Sequence, residues 1–354
     1  MGVGNRERGK DMAQVFTHEA LHQRITEVFT RAGMSPPQAA ALARVFAAAE
    51  RDEDKAHGLY RIAGSLRTLK AGKVNGKAQP RIIASEGAII RIDADGGFNS
   101  AAFEMGLPML AERARDLGMA ALVINDCTHI TALWPEIEAI TDHGLAGLAM
   151  CPSYATVAPT GGRAPLLGTN PLAFGWPRPD GRPPYVFDFA TSMVARGHIE
   201  LERIAGRALP EGWAVDSDGN PTTDPETALA GAMLPFGAHK GSAISTMIEL
   251  LAAAMIGDLT SAEALDYLGT TTLAPRHGEL ILALDPVKFA AGRPDDPFAR
   301  AERLFAAIEG QGARLPSSRR YAARARTLAE GITLSDEDVA QIERFLAQGL
   351  DAVE

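Results

Sequence analysis

Two residues with an evident chemical use stand close together in His57-Gly58-Leu59-Tyr60-Arg61. Imidazole can give up a proton near neutral pH, and a guanidinium grips a carboxylate with two parallel N–H bonds. On one helix, His57 and Arg61 would be four residues apart and share a face. Such a pair suits a 2-oxo acid, with one group protonating it and the other holding its carboxylate. Taken alone, it could also be a helix-end histidine and a surface arginine. Four further clusters carry polar or flexible residues. His129-Ile130-Thr131-Ala132-Leu133-Trp134 follows a strand expected to end at Ile124, where α/β enzymes bind ligands. Gly168-Thr169-Asn170-Pro171 has the composition of a tight turn. His239-Lys240-Gly241 follows Pro235-Phe236-Gly237, so Lys240 could meet a phosphate where glycine lets backbone approach. Arg314, Arg319 and Arg320 are dense enough for a pyrophosphate or a ribose 2′-phosphate, although such runs are often solvated faces.

Other motifs exclude chemistry. Asp216-Ser217-Asp218-Gly219-Asn220 begins like a calcium loop, but Pro221 and Thr227 stand where glycine and glutamate are required. Asp93-Ala94-Asp95-Gly96 has Phe98 at the glycine position, and both segments read as turns. No G-x-G-x-x-G follows a strand, and no Walker loop, H-E-x-x-H or G-x-S-x-G is present. Cys127 and Cys151, the two cysteines, fit no zinc spacing and read as buried thiols. No metal site is expected. The formal charge of −9 argues against nucleic-acid binding, which needs a basic face. No apolar stretch approaches the roughly 20 residues of a membrane span, and residues 1–12 lack a signal core. They read as a disordered leader in which Met12 is a possible start, and the protein is expected in the cytoplasm.

The elements that must position these groups are partly visible. Helices are expected over Thr17–Arg31, from Ser35 to Arg51 behind a Ser35/Gln38 capping box, and from the His57 segment to Leu69. Ile82–Ala84 and Ala88–Ile92 form a hairpin around Glu86-Gly87. A helix over Ser100–Leu117 leads to a buried strand, Ala120–Ile124. Leu148–Met150, Tyr185–Phe187 and Leu280–Leu284 are further strands, and Gly241–Met255 a further helix. The chain ends in helices over Pro297–Ile308, around Arg314–Arg326, and over Asp336–Leu346 behind Ser335. This pattern predicts a helical domain formed by both ends, residues 13–80 and 291–354, around an α/β core at residues 81–290.

The order H-G-x-x-R, G-T-N-P, D-F-A-T-S (Asp188 to Ser192), then P-F-G-x-H-K-G resembles the type-2 malate/L-lactate dehydrogenase family, which includes sulfolactate and ureidoglycolate dehydrogenases. Leu209-Pro210-Glu211-Gly212-Trp213 and Pro221-Thr222-Thr223-Asp224-Pro225 add to the likeness, which spans about Thr17 to Arg326. The resemblance implies an α/β fold whose mixed-sheet core binds NAD(P) without the Rossmann fingerprint, and a homodimer. His129 through Glu138 is similar to the branch that reduces Δ1-piperideine-2-carboxylate and Δ1-pyrroline-2-carboxylate to L-pipecolate and L-proline, usually with NADPH. By motif position, His57 would donate the proton. Arg61 would hold the substrate carboxylate, and Thr169, Arg196 and Gly197 would touch substrate. The cofactor would contact His129, Ile130, Thr131, Ala132, Leu133, Asp188, Phe189, Ala190, His239, Lys240, Arg314, Ser317, Arg319 and Arg320. Those arginines favour NADPH over NADH, because a 2′-phosphate needs cations.

Two positions depart from the family pattern. Ala56 stands where serine precedes the histidine, and His198 stands where aspartate follows A-R-G; that serine and aspartate are regarded as a proton relay. His198 is therefore a second catalytic candidate. A cyclic imine is more basic than a ketone and can bind already protonated, so it depends less on a general acid worth roughly 10²–10⁴-fold. Three readings stay open: an NADPH-dependent imine reductase, a 2-hydroxy-acid dehydrogenase of malate or lactate type, and a catalytically impaired NADPH-binding homologue.

Overall fold

A computed structural model describes residues 14–354, so the expected leader at 1–12 lies outside the described residues. Strand β1 (Gln14–Phe16) leads to Thr17, whose hydroxyl accepts from Ala20 N–H and starts α1 (His18–Arg31). Leu21, Ile25, Val28 and Phe29 recur at helical spacing and are buried. Helix α2 (Pro36–Arg51) begins with proline at its first position, but the expected capping box does not form. Ser35 N–H already donates to Gly76 O (2.8 Å), and Gln38 turns into the core to reach Ala78 O. A 3₁₀ turn at Lys55–His57 and Gly58 then lead into α3 (Tyr60–Lys70).

The hairpin β2 (Arg81–Glu86) and β3 (Ile89–Asp93) turns at Gly87, as the alternation predicted. Helix α4 (Asn99–Leu117), β4 (Met119–Thr128), α5 (Trp134–Asp142) and β5 (Ala146–Met150) follow. Then come β6 (Leu172–Trp176), β7 (Tyr185–Phe189) and α6 (Arg196–Ile204). A small sheet holds β8 (Ala214–Val215), β9 (Pro221–Thr222) and β10 (Ala232–Met233), with α7 (Pro225–Ala230) between the last two. Asp224 caps α7, and Leu209 N–H bonds Thr223 O, so the two proline-rich phrases meet here. Helix α8 (His239–Glu249) runs on through a π turn at Leu250–Ala254, followed by α9 (Ser261–Leu268) and β11 (Arg276–Leu284). The short α10 (Pro286–Phe289), α11 (Pro297–Glu309), α12 (Ser318–Glu330), β12 (Ile332–Leu334) and α13 (Asp336–Gln348) complete the chain.

The main sheet has the order β2-β3-β4-β11-β5-β6-β7. β3 and β4 are parallel and the other neighbours antiparallel, which is a mixed sheet and not the parallel, doubly wound Rossmann arrangement. Alternate residues of β4 serve two layers. Leu122 and Ile124 pack with Phe103 and Leu110 of α4 and Ile137 of α5; Val123 packs with Ile248, Ala252 and Ile256 on the other face. Gly106 lets α4 approach, since a Cβ there would lie 2.7 Å from Leu122. Strand β6 escaped the sequence reading because Gly175 interrupts its apolar pattern. That glycine is needed because a Cβ would lie 2.4 Å from Ile137 of α5.

The two chain ends share one core, in which Leu21, Phe29 and Phe46 join Ile332, Ile342 and Phe345, and β1 pairs with β12. Asp52, at the end of α2, clamps them together. Its fully buried carboxylate accepts from Arg51 (2.7 Å), Arg320 (2.8 Å) and Arg324 (2.9 Å), and the last two also pair with Glu138. Burial pushes the Asp52 carboxyl up, but Arg324 and Arg51 outweigh it and hold it below the usual carboxylate range. Its stabilisation is therefore present above the ordinary carboxylate pKa and lost as pH falls through the lowered one. Asp52→Ala should cost toward the lower end of about 3–5 kcal/mol, because Glu138 still pairs both arginines. Urea unfolding at neutral pH should show that loss, and at acid pH the gap from the native protein should narrow.

Candidate active site

The histidine of H-G-x-x-R does not share a helix with the arginine. His57 ends the 3₁₀ turn and Arg61 lies in the first turn of α3, with Gly58 between them. This glycine is required, since a Cβ there would lie 2.1 Å from Glu50 Oε1, which accepts from Leu59 N–H (2.8 Å). His57 Nδ1 lies 3.0 Å from Asp54 Oδ2, which also accepts from the indole N–H of Trp134 (3.1 Å). Burial pushes the Asp54 carboxyl up, but His57, Trp134 and the nearby Arg320 hold it below the usual range. An ionised Asp54 can only accept, so Nδ1 carries the ring proton. Nε2 of His57 has no hydrogen-bond partner among the described residues. Trp134 is held in turn. Arg320 stacks on its ring at 3.9 Å, and Asp188 Oδ2 accepts from the N–H groups of Leu133 (2.8 Å) and Trp134 (3.0 Å). Burial raises the Asp188 carboxyl against the pull of His57 and these two amides.

Arg61 makes no ion pair among the described residues. Its Nε donates to Ala56 O (2.7 Å), and its guanidinium lies 5.6 Å from the Tyr60 ring centroid. Ala56 thus contributes its carbonyl where a serine hydroxyl is missing. The charges of Arg196 and Arg61 both act on the Tyr154 hydroxyl, which burial raises and which donates to Thr271 O (3.0 Å). Arg196 Nη2 donates to Leu229 O (3.2 Å) and Thr271 Oγ1 (3.1 Å). At Gly197 a Cβ would lie 3.5 Å from the Tyr60 ring, so the start of α6 faces α3. Two arginines without carboxylate partners and two tyrosines therefore occupy one neighbourhood. It can accept an anion.

The other motifs converge on Thr191. Its N–H donates to Thr169 O (2.8 Å), and its carbonyl accepts from Phe236 N–H (3.0 Å). G-T-N-P, D-F-A-T-S and P-F-G thus lie side by side. Asn170, at positive φ, is structural: its amide reaches Ser245 Oγ (2.9 Å) and Glu249 (2.8 Å) and accepts from Ser261 Oγ (3.1 Å). His239 and Lys240 are exposed at the start of α8, and Gly241 is packed against Phe236 O, where a Cβ would be 2.2 Å away. Phe189 meets Phe236 edge-on at 5.8 Å, and Ala190 follows at the strand end. His129, Thr131, Ala132 and Leu133 are buried, and Ile130 is partly buried against the helical core.

The arginine run is divided in its use. Ser317 Oγ donates to Val186 O (2.8 Å) and accepts from Arg320 (3.0 Å), which seats the run on β7. Arg320 is committed to Asp52, Glu138 and Trp134. These contacts hold it in the fold. Arg314 and Arg319 are exposed and make no ion pair among the described residues. Lys240 likewise makes no ion pair among the described residues.

His198 makes its own contacts: its Nε2 lies 3.4 Å from Glu202, its ring meets Trp213 edge-on, and the side chain is about half exposed. One turn into α6, it points to a surface glutamate four residues on. The group that touches His57 is Asp54, which the sequence did not single out. Cys127 and Cys151 are buried free thiols, as expected. The calcium-like segment is a turn in which Asp216 caps Asp218 and Asn220 N–H groups. No helix of the described residues is long and apolar enough to cross a membrane.

The chain is similar to known proteins over most of its length. The chain is 68% identical over 338 residues to the Δ1-pyrroline-2-carboxylate reductase of Agrobacterium fabrum, covering 95% of this chain and 98% of that one. It is 50% identical to the Δ1-pyrroline-2-carboxylate/Δ1-piperideine-2-carboxylate reductase of Pseudomonas aeruginosa, over 90% of this chain and 96% of that one. Among solved structures, Δ1-piperideine-2-carboxylate reductase from Pseudomonas syringae pathovar tomato superposes with a TM-score of 0.89 at 40% identity, covering 94% and 99% of the two chains. Residues 16–343 match the malate/L-lactate dehydrogenase family, and the chain belongs to that family of oxidoreductases.

Proposed function

We propose that this protein reduces cyclic 2-imino acids with NADPH, converting Δ1-pyrroline-2-carboxylate to L-proline and Δ1-piperideine-2-carboxylate to L-pipecolate. The observation that carries the reading is an imidazole whose Nδ1 is held by Asp54, leaving Nε2 free, four residues before a guanidinium with no carboxylate partner. A bound nicotinamide supplies the hydride that C2 of the substrate receives. Arg61 binds and orients the substrate carboxylate, supported by Arg196. His57 Nε2 holds the proton that accompanies the ring nitrogen, and Asp54 keeps the imidazole in the tautomer and orientation this needs. Asp54 performs locally what the missing hydroxyl at Ala56 cannot. This supports an active enzyme over an impaired homologue.

Arg314 and Arg319 favour NADPH, because a 2′-phosphate needs cations not already paired. The double variant R314A/R319A should raise the KM for NADPH roughly 10- to 100-fold, about 1.5–3 kcal/mol of charged hydrogen bonding, and leave that for NADH nearly unchanged. Equal shifts for both cofactors would place the 2′-phosphate elsewhere. A cytoplasmic homodimer belongs to the same proposal, and light scattering of the purified chain tests the dimer. For the function itself, the two cyclic imino acids and pyruvate with methylamine are followed by loss of NADPH absorbance. Turnover of the cyclic imines is expected. Failure of all three, with oxidation of malate or lactate instead, would replace this reading.

A further inference from the structure

A second polar cluster lies beneath the cofactor-loop residues, deep in the sheet. His129 follows β4, Glu136 lies in the first turn of α5, and Glu279 lies in β11. They are 4%, 4% and 0% exposed. One potential ligand atom from each comes within 4.8 Å of the others. His129 Nε2, Glu136 Oε2 and Glu279 Oε1 are buried and have no hydrogen-bond partner. We propose that His129, Glu136 and Glu279 bind one divalent transition-metal cation of the zinc class.

The geometry favours a cation over direct bonding within the cluster. His129 Nε2 and Glu279 Oε1 are 3.6 Å apart, too far for a good hydrogen bond. That separation is close to the edge of about 3.3 Å expected around a tetrahedral ion with ligand bonds near 2.0–2.1 Å. The amide of Asn99 donates to Glu136 Oε1 (2.8 Å) and Glu279 Oε2 (3.3 Å). It therefore occupies the outer oxygens and leaves the unpartnered ones free, as outer groups do around metal ligands. Neither carboxylate has a lysine or arginine partner among the described residues, although two buried carboxylates need a positive charge or a proton. One imidazole and two carboxylates suit Zn²⁺, Co²⁺ or Mn²⁺. Such an ion would tie β11 to the loop whose Leu133 and Trp134 amides hold Asp188. Residues at 129, 136 and 279 form no spacing motif, so the sequence could not display the site.

The test uses the full, untagged chain purified without chelator. Elemental analysis should find about one equivalent of zinc-class metal per chain, or uptake of that amount from added Zn²⁺ after stripping. Co²⁺ should give the visible absorption of a low-coordinate ion, and either metal should raise Tm by several degrees. E136Q, which keeps the side chain's shape, should lose the Co²⁺ absorption and the Tm rise. A folded native chain that binds neither ion overturns the proposal and leaves a proton shared between the two carboxyls. Metal retained equally by folded E136Q overturns it too, by placing the ion elsewhere. Should E136Q fail to fold, uptake by the native chain decides together with H129Q, read the same way.

Discussion

His57→Asn should lower kcat for imine reduction by roughly 10²–10⁴-fold while circular dichroism stays native. Nδ1 is occupied by Asp54 and Nε2 is unpartnered, so the ring has one nitrogen to exchange with substrate. Asparagine fits the space but carries no exchangeable proton near neutral pH. The loss should be smaller for a cyclic imine than for a 2-oxo acid, because the imine nitrogen can arrive protonated. Asp54 acts through His57 and is a positioning residue. Asp54→Asn can turn its amide N–H toward Nδ1 and so loses the fixed acceptor that sets the ring's tautomer. Its kcat should fall while KM stays near native, and Asp54→Glu should recover part of kcat, a split and rescue that a purely structural defect would not produce. An H57N enzyme with native kcat would remove His57 from the reaction.

Arg61→Met should reduce kcat/KM roughly 30- to 4,000-fold, the range set by about 2–5 kcal/mol for losing one partner of a buried charge pair. Methionine keeps the length and apolar stem and deletes the charge. Arg196→Met should cost less, since part of that guanidinium already holds Leu229 O and Thr271 Oγ1. Lysine at position 61 should not restore the rate, because a point charge cannot reproduce the planar fork. The check is to compare the substrate with its carboxamide. Native enzyme should prefer the acid strongly, and R61M should nearly lose the preference. An unchanged preference would assign the carboxylate to Arg196.

The reach of the sequence follows physical lines. The hairpin at Gly87, the buried face of α1 and the buried strand within β4 were legible because their patterns are local. The motifs were legible because each sits at a turn or strand end, and Thr191 shows why they keep company: it belongs to one of them and two others bond to it directly. What the sequence did not show depended on side-chain partners, some near in the chain and some far. Asp54 acquires its role from a histidine three residues on and an indole at Trp134. Arg320 pairs with Asp52, a residue far from it in the chain. His198 inherits its candidacy from a family position, yet its side chain turns toward Glu202. Ser35 has the capping residues around it, but Gly76 already takes its N–H.

The central claim is that hydride goes to C2 of a cyclic imino acid held by Arg61 and protonated with the help of His57. The most direct measurement follows the hydride itself. The enzyme is given Δ1-pyrroline-2-carboxylate with NADPH carrying deuterium at the transferable C4 position, and the product is analysed by mass and by chirality. The account predicts L-proline with one deuterium at C2, formed at a rate that collapses in H57N and R61M. Unlabelled or racemic proline, or no proline alongside active oxidation of malate or lactate, would contradict it.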